Sequence, residues 1–264
     1  MTLKLPFLNR DPLVNVVRLQ GAITTAGRGL DDPSLAPVLQ KAFTKGKPKA
    51  VALQINCPGG SPVQSSMIAA RIRRLSQEHD VPVIAFVEDV AASGGYWLAC
   101  AADEIYADVG SLVGSIGVIS AGFGFHDLID RYGVERRVHT AGTSKSMLDP
   151  FRPEKPEDVQ KLEGWLTDLH EIFISYVKSR REALLSDDPA IFSGEVWIGQ
   201  KAHDKGLIDG IGHLVPVMKA LHGDKVKFRR YGPKKSLFAR LGARIMGDAI
   251  ASIEDRTAFA RFGL

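Results

Sequence analysis

Ser93 stands against Gly94 and Gly95 in the stretch DVAASGGYWLACAA, residues 89–102, and the apolar run Tyr96-Trp97-Leu98-Ala99-Cys100 follows at once. Glycine weakens a helix by roughly 1 kcal/mol relative to alanine, so a glycine pair ahead of a helix-compatible run needs a backbone reason. Two chemistries fit. In one, Ser93 caps the helix, its hydroxyl accepting from a first-turn amide while the glycines ease a tight strand-to-helix bend. In the other, the hydroxyl stands exposed on the bend as a nucleophile, with free amides beside it and space for a substrate backbone above.

A serine hydroxyl is a weak nucleophile until a base takes its proton. Among the seven histidines, His126 and His139 each have an acid nearby, Asp127 and Asp149, and the spacing allows a Ser-His-Asp triad. FHDLIDRYG, around His126, reads as an amphipathic surface helix on which a histidine is usually a plain polar residue. Lysine is the other candidate base. Lys145 lies in HTAGTSKSMLDPF, a hydroxyl-rich loop in which Thr143, Ser144 and Ser146 are placed to hold its amine. A lysine base must be neutral, which requires a dry pocket, whereas a loop lysine is more often solvated. Residue chemistry alone does not choose between them.

The elements that must position these groups alternate. LVNVVRLQG (13–21), AVALQIN (50–56) and VPVIAFV (81–87) read as strands. PSLAPVLQKAFTKG reads as a helix closed by Gly46, and residues 61–79 as a second helix with Ser61 as cap and Pro62 in the first turn. After the Ser93 helix, DEIYAD and SLVGSIGVIS read as short strands, and residues 156–186 as one long helix. Its apolar stripe is Leu162, Trp165, Leu166, Leu169, Phe173, Tyr176 and Val177, facing core or another subunit. WIGQKAHDKGLID reads as a short helix ended by Gly206, then a strand. Strand-helix alternation in this rhythm requires parallel pairing with crossover helices, and ligands in such sheets collect beyond the strand carboxyl ends. Both glycine turns, NCPGGS and AASGG, fall there.

Composition narrows the classes. The chain has 264 residues, 45% hydrophobic and 24% charged, as in an ordinary globular protein. Two cysteines, Cys57 and Cys100, make no disulfide framework, and no His/Cys cluster points to zinc or another metal. Residues 1–12 lack the apolar length of a signal peptide or membrane span, so a cytoplasmic setting is expected. The net charge of +4 is uneven: Lys225 to Arg244 holds eight basic residues without an acid, so the basic character belongs to a tail and does not call for nucleic acid. No phosphate-loop, dinucleotide or zinc-protease motif is complete, and no cofactor is expected.

The quoted motifs, with GTSKSMLDPFRP and FSGEVWIGQKAHDKGLIDGIG, resemble in order and spacing the signal peptide peptidase A family, serine peptidases with a Ser/Lys dyad. The resemblance covers roughly residues 13 to 220. It implies an α/β fold of the caseinolytic protease/crotonase type, built of stacked strand-strand-helix units. It makes Ser93 the nucleophile, Lys145 the general base and Ser115 the residue that orients the lysine amine. Gly60, shaped by Gly59, and Gly94 would supply the oxyanion amides. Cys57 stands where the family usually has serine and is taken as a neutral replacement packing as a small hydrophobe.

The resulting expectation is a single peptidase domain over 13–222, preceded by a short tail at 1–12 and followed by a basic tail at 223–264. The enzyme would cleave short, extended or membrane-derived peptides, including signal peptide remnants, through an acyl-enzyme. It would work as a homo-oligomer whose dyads are completed between subunits. On the tail, Leu237, Leu241, Ile245, Ala249 and Ile253 form a stripe suited either to the inner face of an anionic membrane or to packing on the oligomer. The alternatives are a crotonase-like acyl-thioester hydratase or hydrolase, a Ser-His-Asp peptidase using His126, and a non-catalytic membrane-surface scaffold.

Overall fold

The computed structural model describes residues 11–25, 29–142, 144–181, 183–232 and 258–264. Its strands are β1 (Leu13–Gln20), β2 (Ala50–Cys57), β3 (Val83–Ala92), β4 (Glu104–Ala107), β5 (Leu112–Gly114), β6 (Val196–Ile198), β7 (Gly210–Ile211) and β8 (Lys227–Tyr231). Its helices are α1 (Asp32–Thr44), α2 (Pro62–His79), α3 (Gly94–Ala99), α4 (His126–Arg131), α5 (Pro156–Arg181), α6 (Gly199–Asp204) and α7 (Leu214–His222). The central strands are apolar on both faces, the pattern of parallel strands covered on either side. Val51, Leu53, Ile55 and Cys57 pack with Leu39 of α1 and Ile72 of α2 in the larger core. Ala50, Ala52, Ile84 and Phe86 join Met218 of α7 in a smaller core on the other face.

The sheet runs β6-β5-β3-β2-β1-β8, with β4 on β3 and β7 on β4. Every pairing is parallel except β5 with β6. This is the α/β architecture of stacked units expected from the sequence. Its decisive feature is β3, which serves two partners along one edge. Residues Ile84 to Val87 pair with β4, and Val90 to Ala92 pair with β5. The sheet therefore divides beyond Val87, and the upper branch ends on Ser93 and Ser115.

The sequence reading ends this strand at residue 87, before Glu88-Asp89. The strand continues to Ala92 because both carboxylates find partners: Glu88 accepts from Gln54 Nε2 at 2.6 Å and Arg18 at 3.4 Å, and Asp89 accepts from Asn56 Nδ2. Helix starts follow their caps. Asp31 accepts from the Ser34 amide at 2.8 Å, and Ser61 from the Gln64 amide at 3.4 Å.

α5 is five residues shorter than the stretch to Ser186 read from sequence, and only its second half meets the core. Phe173 and Val177 are buried, whereas Trp165 is 54% exposed. The helix ends where Arg181 turns inward: its Nη1 lies 2.7 Å from Asp209 and its Nη2 donates to the Gly206 carbonyl at 2.9 Å. The Arg181 side chain is 3% exposed. Removing one member of a buried pair strands the other without solvent, so Arg181→Ala is expected to cost about 3 kcal/mol. Urea unfolding checks it, by a lower midpoint at unchanged slope.

Two regions differ from the sequence reading. Lys227–Tyr231, assigned to the basic tail, is the edge strand β8, paired with β1. The strand read at the end of GLID is the two-residue β7, Gly210–Ile211. The Leu237 to Ile253 stripe lies outside the described residues. No helix among the described residues is long and apolar enough to cross a membrane.

Candidate active site

Ser93 occupies the cap position of α3, yet its side chain makes no capping hydrogen bond. Its backbone does the positioning. The Ser93 amide donates to the Gly114 carbonyl at 2.8 Å, and the Ser93 carbonyl accepts from the Trp97 amide at 3.0 Å. These bonds hold the residue at φ 51°, ψ −122°, a conformation that side chains other than glycine rarely adopt. Such strain persists only where surrounding structure imposes it. Of the two readings of this serine, the geometry favours the exposed hydroxyl over the cap.

The strain has a measurable cost. Ser93→Gly relieves it and is expected to raise stability by about 1 kcal/mol, whereas Ser93→Ala keeps the Cβ and gains nothing. Thermal unfolding of both variants checks the pair, and equal melting temperatures would contradict the strain.

NCPGG carries the second turn to the same place. Gly59 and Gly60 have φ of +110° and +140°, and a methyl group at Gly59 would sit 2.8 Å from Ser93 Cβ. A methyl at Gly94 would lie 2.4 Å from Ser65 Oγ and 3.4 Å from the Gly60 nitrogen, so the two turns are in close approach. Gly94 opens α3, and the first amides of a helix have no partner inside it. Neither the Gly60 nor the Gly94 N–H donates to another described residue. Two unpaired backbone donors thus flank the half-buried Ser93, the arrangement that stabilises an oxyanion.

These residues border a cavity of about 810 Å³, with Ser115 on its wall. Ser115 follows β5 at φ 54° and donates its amide to the Glu195 carbonyl at 2.6 Å. Trp97, Leu169, Phe173, Val118 and Ile119 make an apolar wall. Trp97 itself stacks with the rings of Phe173 and Tyr176, at 4.8 and 4.9 Å. The sequence reading missed this wall, and it missed Glu195, because neither belongs to a local spacing around Ser93. A family model described as peptidase family S49 matches residues 76–227, more than half of the chain.

The chain belongs to peptidase family S49. It is similar to signal peptide peptidase A proteins over most of its length. It is 32% identical to the chloroplastic serine protease SPPA of Arabidopsis thaliana, over 76% of this chain and 29% of that protein. It is 46% identical to a Brucella melitensis protein named Na(+)/H(+) antiporter NhaA, over 95% of this chain and 37% of that protein. The chain therefore spans about a third of the length of these relatives. A lysine-to-alanine mutant of the 1510-N membrane-bound stomatin-specific protease, in complex with a substrate peptide, superposes with a TM-score of 0.54. That likeness, at 17% identity, covers 93% of this chain and 99% of that one. It gives this S49 peptidase the caseinolytic protease/crotonase-like fold.

Five of the six site residues expected from sequence meet: Ser93, Gly59, Gly60, Gly94 and Ser115 border one cavity. Lys145 does not border it. It is exposed, on the segment between β5 and α5. The loop hydroxyls expected to hold its amine serve other cations: Ser144 Oγ accepts from Lys161 at 3.1 Å and Ser146 Oγ from Arg152 at 3.4 Å, and Thr143 lies outside the described residues. His126 and His139 do not border the cavity either. Asp149, the acid proposed for His139, accepts instead from the Phe151 amide at 3.1 Å and from Arg136 at 3.3 Å, which hold its carboxyl below the usual range. Among the described residues, neither His126 nor His139 assembles a Ser-His-Asp triad with Ser93.

Both cysteines are buried, Cys57 in the larger core and Cys100 behind α3, and neither is in a disulfide. Burial pushes the Cys100 thiol up to about 12, which leaves it no thiolate at neutral pH. No group of three or more His, Cys, Asp or Glu side chains among the described residues is arranged to hold a metal ion.

Proposed function

We propose that this S49 peptidase is an endopeptidase for short, extended or membrane-derived peptides, signal peptide remnants among them, and that it works by a Ser93/Lys145 dyad. The observation that carries the reading is the strained Ser93 flanked by the unpaired Gly60 and Gly94 amides. Unprotonated Lys145 takes the Ser93 proton, Ser93 Oγ attacks the peptide carbonyl, and the two amides hold the developing oxyanion. The lysine returns its proton to the leaving amine. Water, activated by the same lysine, then breaks the ester and frees Ser93.

Lys145 comes from a neighbouring subunit. Its exposure in the single chain supports this, as does the apolar surface of the same segment between β5 and α5: Ile119, Phe123 and Tyr132 are each at least 74% exposed, and α4 buries no residue. A lysine amine is kept unprotonated by removal from water, which a subunit interface provides. Sites enclosed between subunits also spare folded proteins and admit extended peptides. A fluorophosphonate probe tests the reading. Labelling of the wild-type protein that Ser93→Ala abolishes supports the peptidase. Absent labelling points instead to a crotonase-like acyl-thioester enzyme, which uses the paired amides without a serine nucleophile.

A further inference from the structure

Among the described residues bordering the Ser93 cavity, two carry charge, Glu195 and Arg261. All the others are apolar or neutral. Glu195 is an exposed carboxylate with no ion pair among the described residues, and its one side-chain contact is the Ser193 hydroxyl at 3.4 Å. Its backbone is fixed. The Glu195 carbonyl accepts from the Ser115 amide at 2.6 Å, β6 begins at the next residue, and a methyl group at Gly117 would touch the Gly194 Cα at 3.1 Å. The backbone that carries this carboxylate is therefore held at the cavity border, in the same unit as Ser115.

The second observation is what shares the cavity. Ala258, Arg261 and Phe262 of the chain itself border it, with the Arg261 Nη2 pointing at the Pro58 carbonyl at 3.5 Å and its guanidinium 4.7 Å over the Phe262 ring. A peptide segment with an arginine beside an aromatic residue thus fits this space. The segment brings the cation, whereas the rest of the wall contributes a carboxylate alone.

We infer that Glu195 is a specificity-determining residue that selects peptides with a basic side chain near the cleaved bond, next to an apolar residue taken by the Trp97 and Phe173 wall. The inference rests on the peptidase reading and adds the charge of the substrate to it. An exposed ion pair shifts affinity by a factor of about 2 to 5, and a like-charge pair by a similar factor the other way. Together they give a preference of about tenfold for lysine over glutamate at the position Glu195 reads. A carboxylate that binds substrate and transition state alike changes KM and leaves kcat in place.

The test uses matched quenched peptides in which lysine, glutamine or glutamate is scanned through the positions flanking the cleaved bond. Wild type, E195Q and E195K are compared. At one position the wild type should favour lysine over glutamate by about tenfold in KM, E195Q should bring the ratio near one, and E195K should invert it. The same ratio in all three proteins would overturn the inference. So would an E195Q effect that shifts the acidic limb of the pH profile equally for every peptide, because the carboxylate would then be acting on the general base. Binding of the same peptides to Ser93→Ala, read by fluorescence anisotropy, reports the preference without turnover. No charge preference there overturns the role of Glu195. A preference there without hydrolysis by the wild type supports Glu195 and overturns the dyad mechanism.

Discussion

Ser93→Ala is expected to lower kcat for peptide hydrolysis by about 10⁴-fold or more while leaving the fold and peptide affinity unchanged. The size follows from covalent catalysis: Ser115 and Ser193 also border the cavity, but Ser93 is the serine set beside the Gly59–Gly60 turn at the open end of α3. Cys57 is buried in the core, and Ser65, close to Gly94, is buried and donates its hydroxyl to the Ser61 carbonyl at 2.8 Å. The unchanged fold follows because Ser93 Oγ caps nothing and the alanine Cβ keeps the strained backbone as it is. Single-turnover kinetics with a chromogenic peptide ester separates the cases. A variant that retains a burst of released leaving group would place the nucleophile elsewhere and defeat the proposal.

The same two glycine turns show what the sequence makes legible. NCPGG and AASGG each read as a bend after a buried strand, and parallel pairing of β2 with β3 is enough to bring the bends together. The full length of β3 was not legible, since Asp and Glu are disfavoured in strands, and the strand runs on here where Gln54, Arg18 and Asn56 answer the pair across the sheet. The cavity wall was hidden for a similar reason. Trp97 reads as an ordinary core position of α3, and its place beside the site depends on Phe173 and Tyr176 of α5, more than 70 residues away. Glu195 lies 102 residues after Ser93, joined to the site by a β5–β6 pairing that no local pattern announces. α5 has a helical stripe along its whole length, but periodicity does not say which half meets its own core and which half waits for another surface.

That open half, and the segment carrying Lys145, lead to the second large effect. Lys145→Ala alone should lose activity to nearly the same extent as Ser93→Ala, because residues acting as one unit fail together. Lys145→Arg should not rescue it, since a guanidinium stays protonated and cannot accept the Ser93 proton. Coexpressed Ser93→Ala and Lys145→Ala chains should recover activity. If, as proposed, each site of a closed ring takes its serine from one subunit and its lysine from the next, a random equal mixture makes about one quarter of the sites complete. Mixed assemblies isolated through two affinity tags, and assayed against each parent, read this directly. Mixed assemblies as inactive as the parents would put both groups in one chain, and would require Lys145 to swing from its exposed position into its own cavity. Recovery near one quarter would instead explain why an enzyme with a formed oxyanion pair keeps its base away from its own nucleophile: the isolated subunit is inert, and proteolysis begins only once the assembly has enclosed the site.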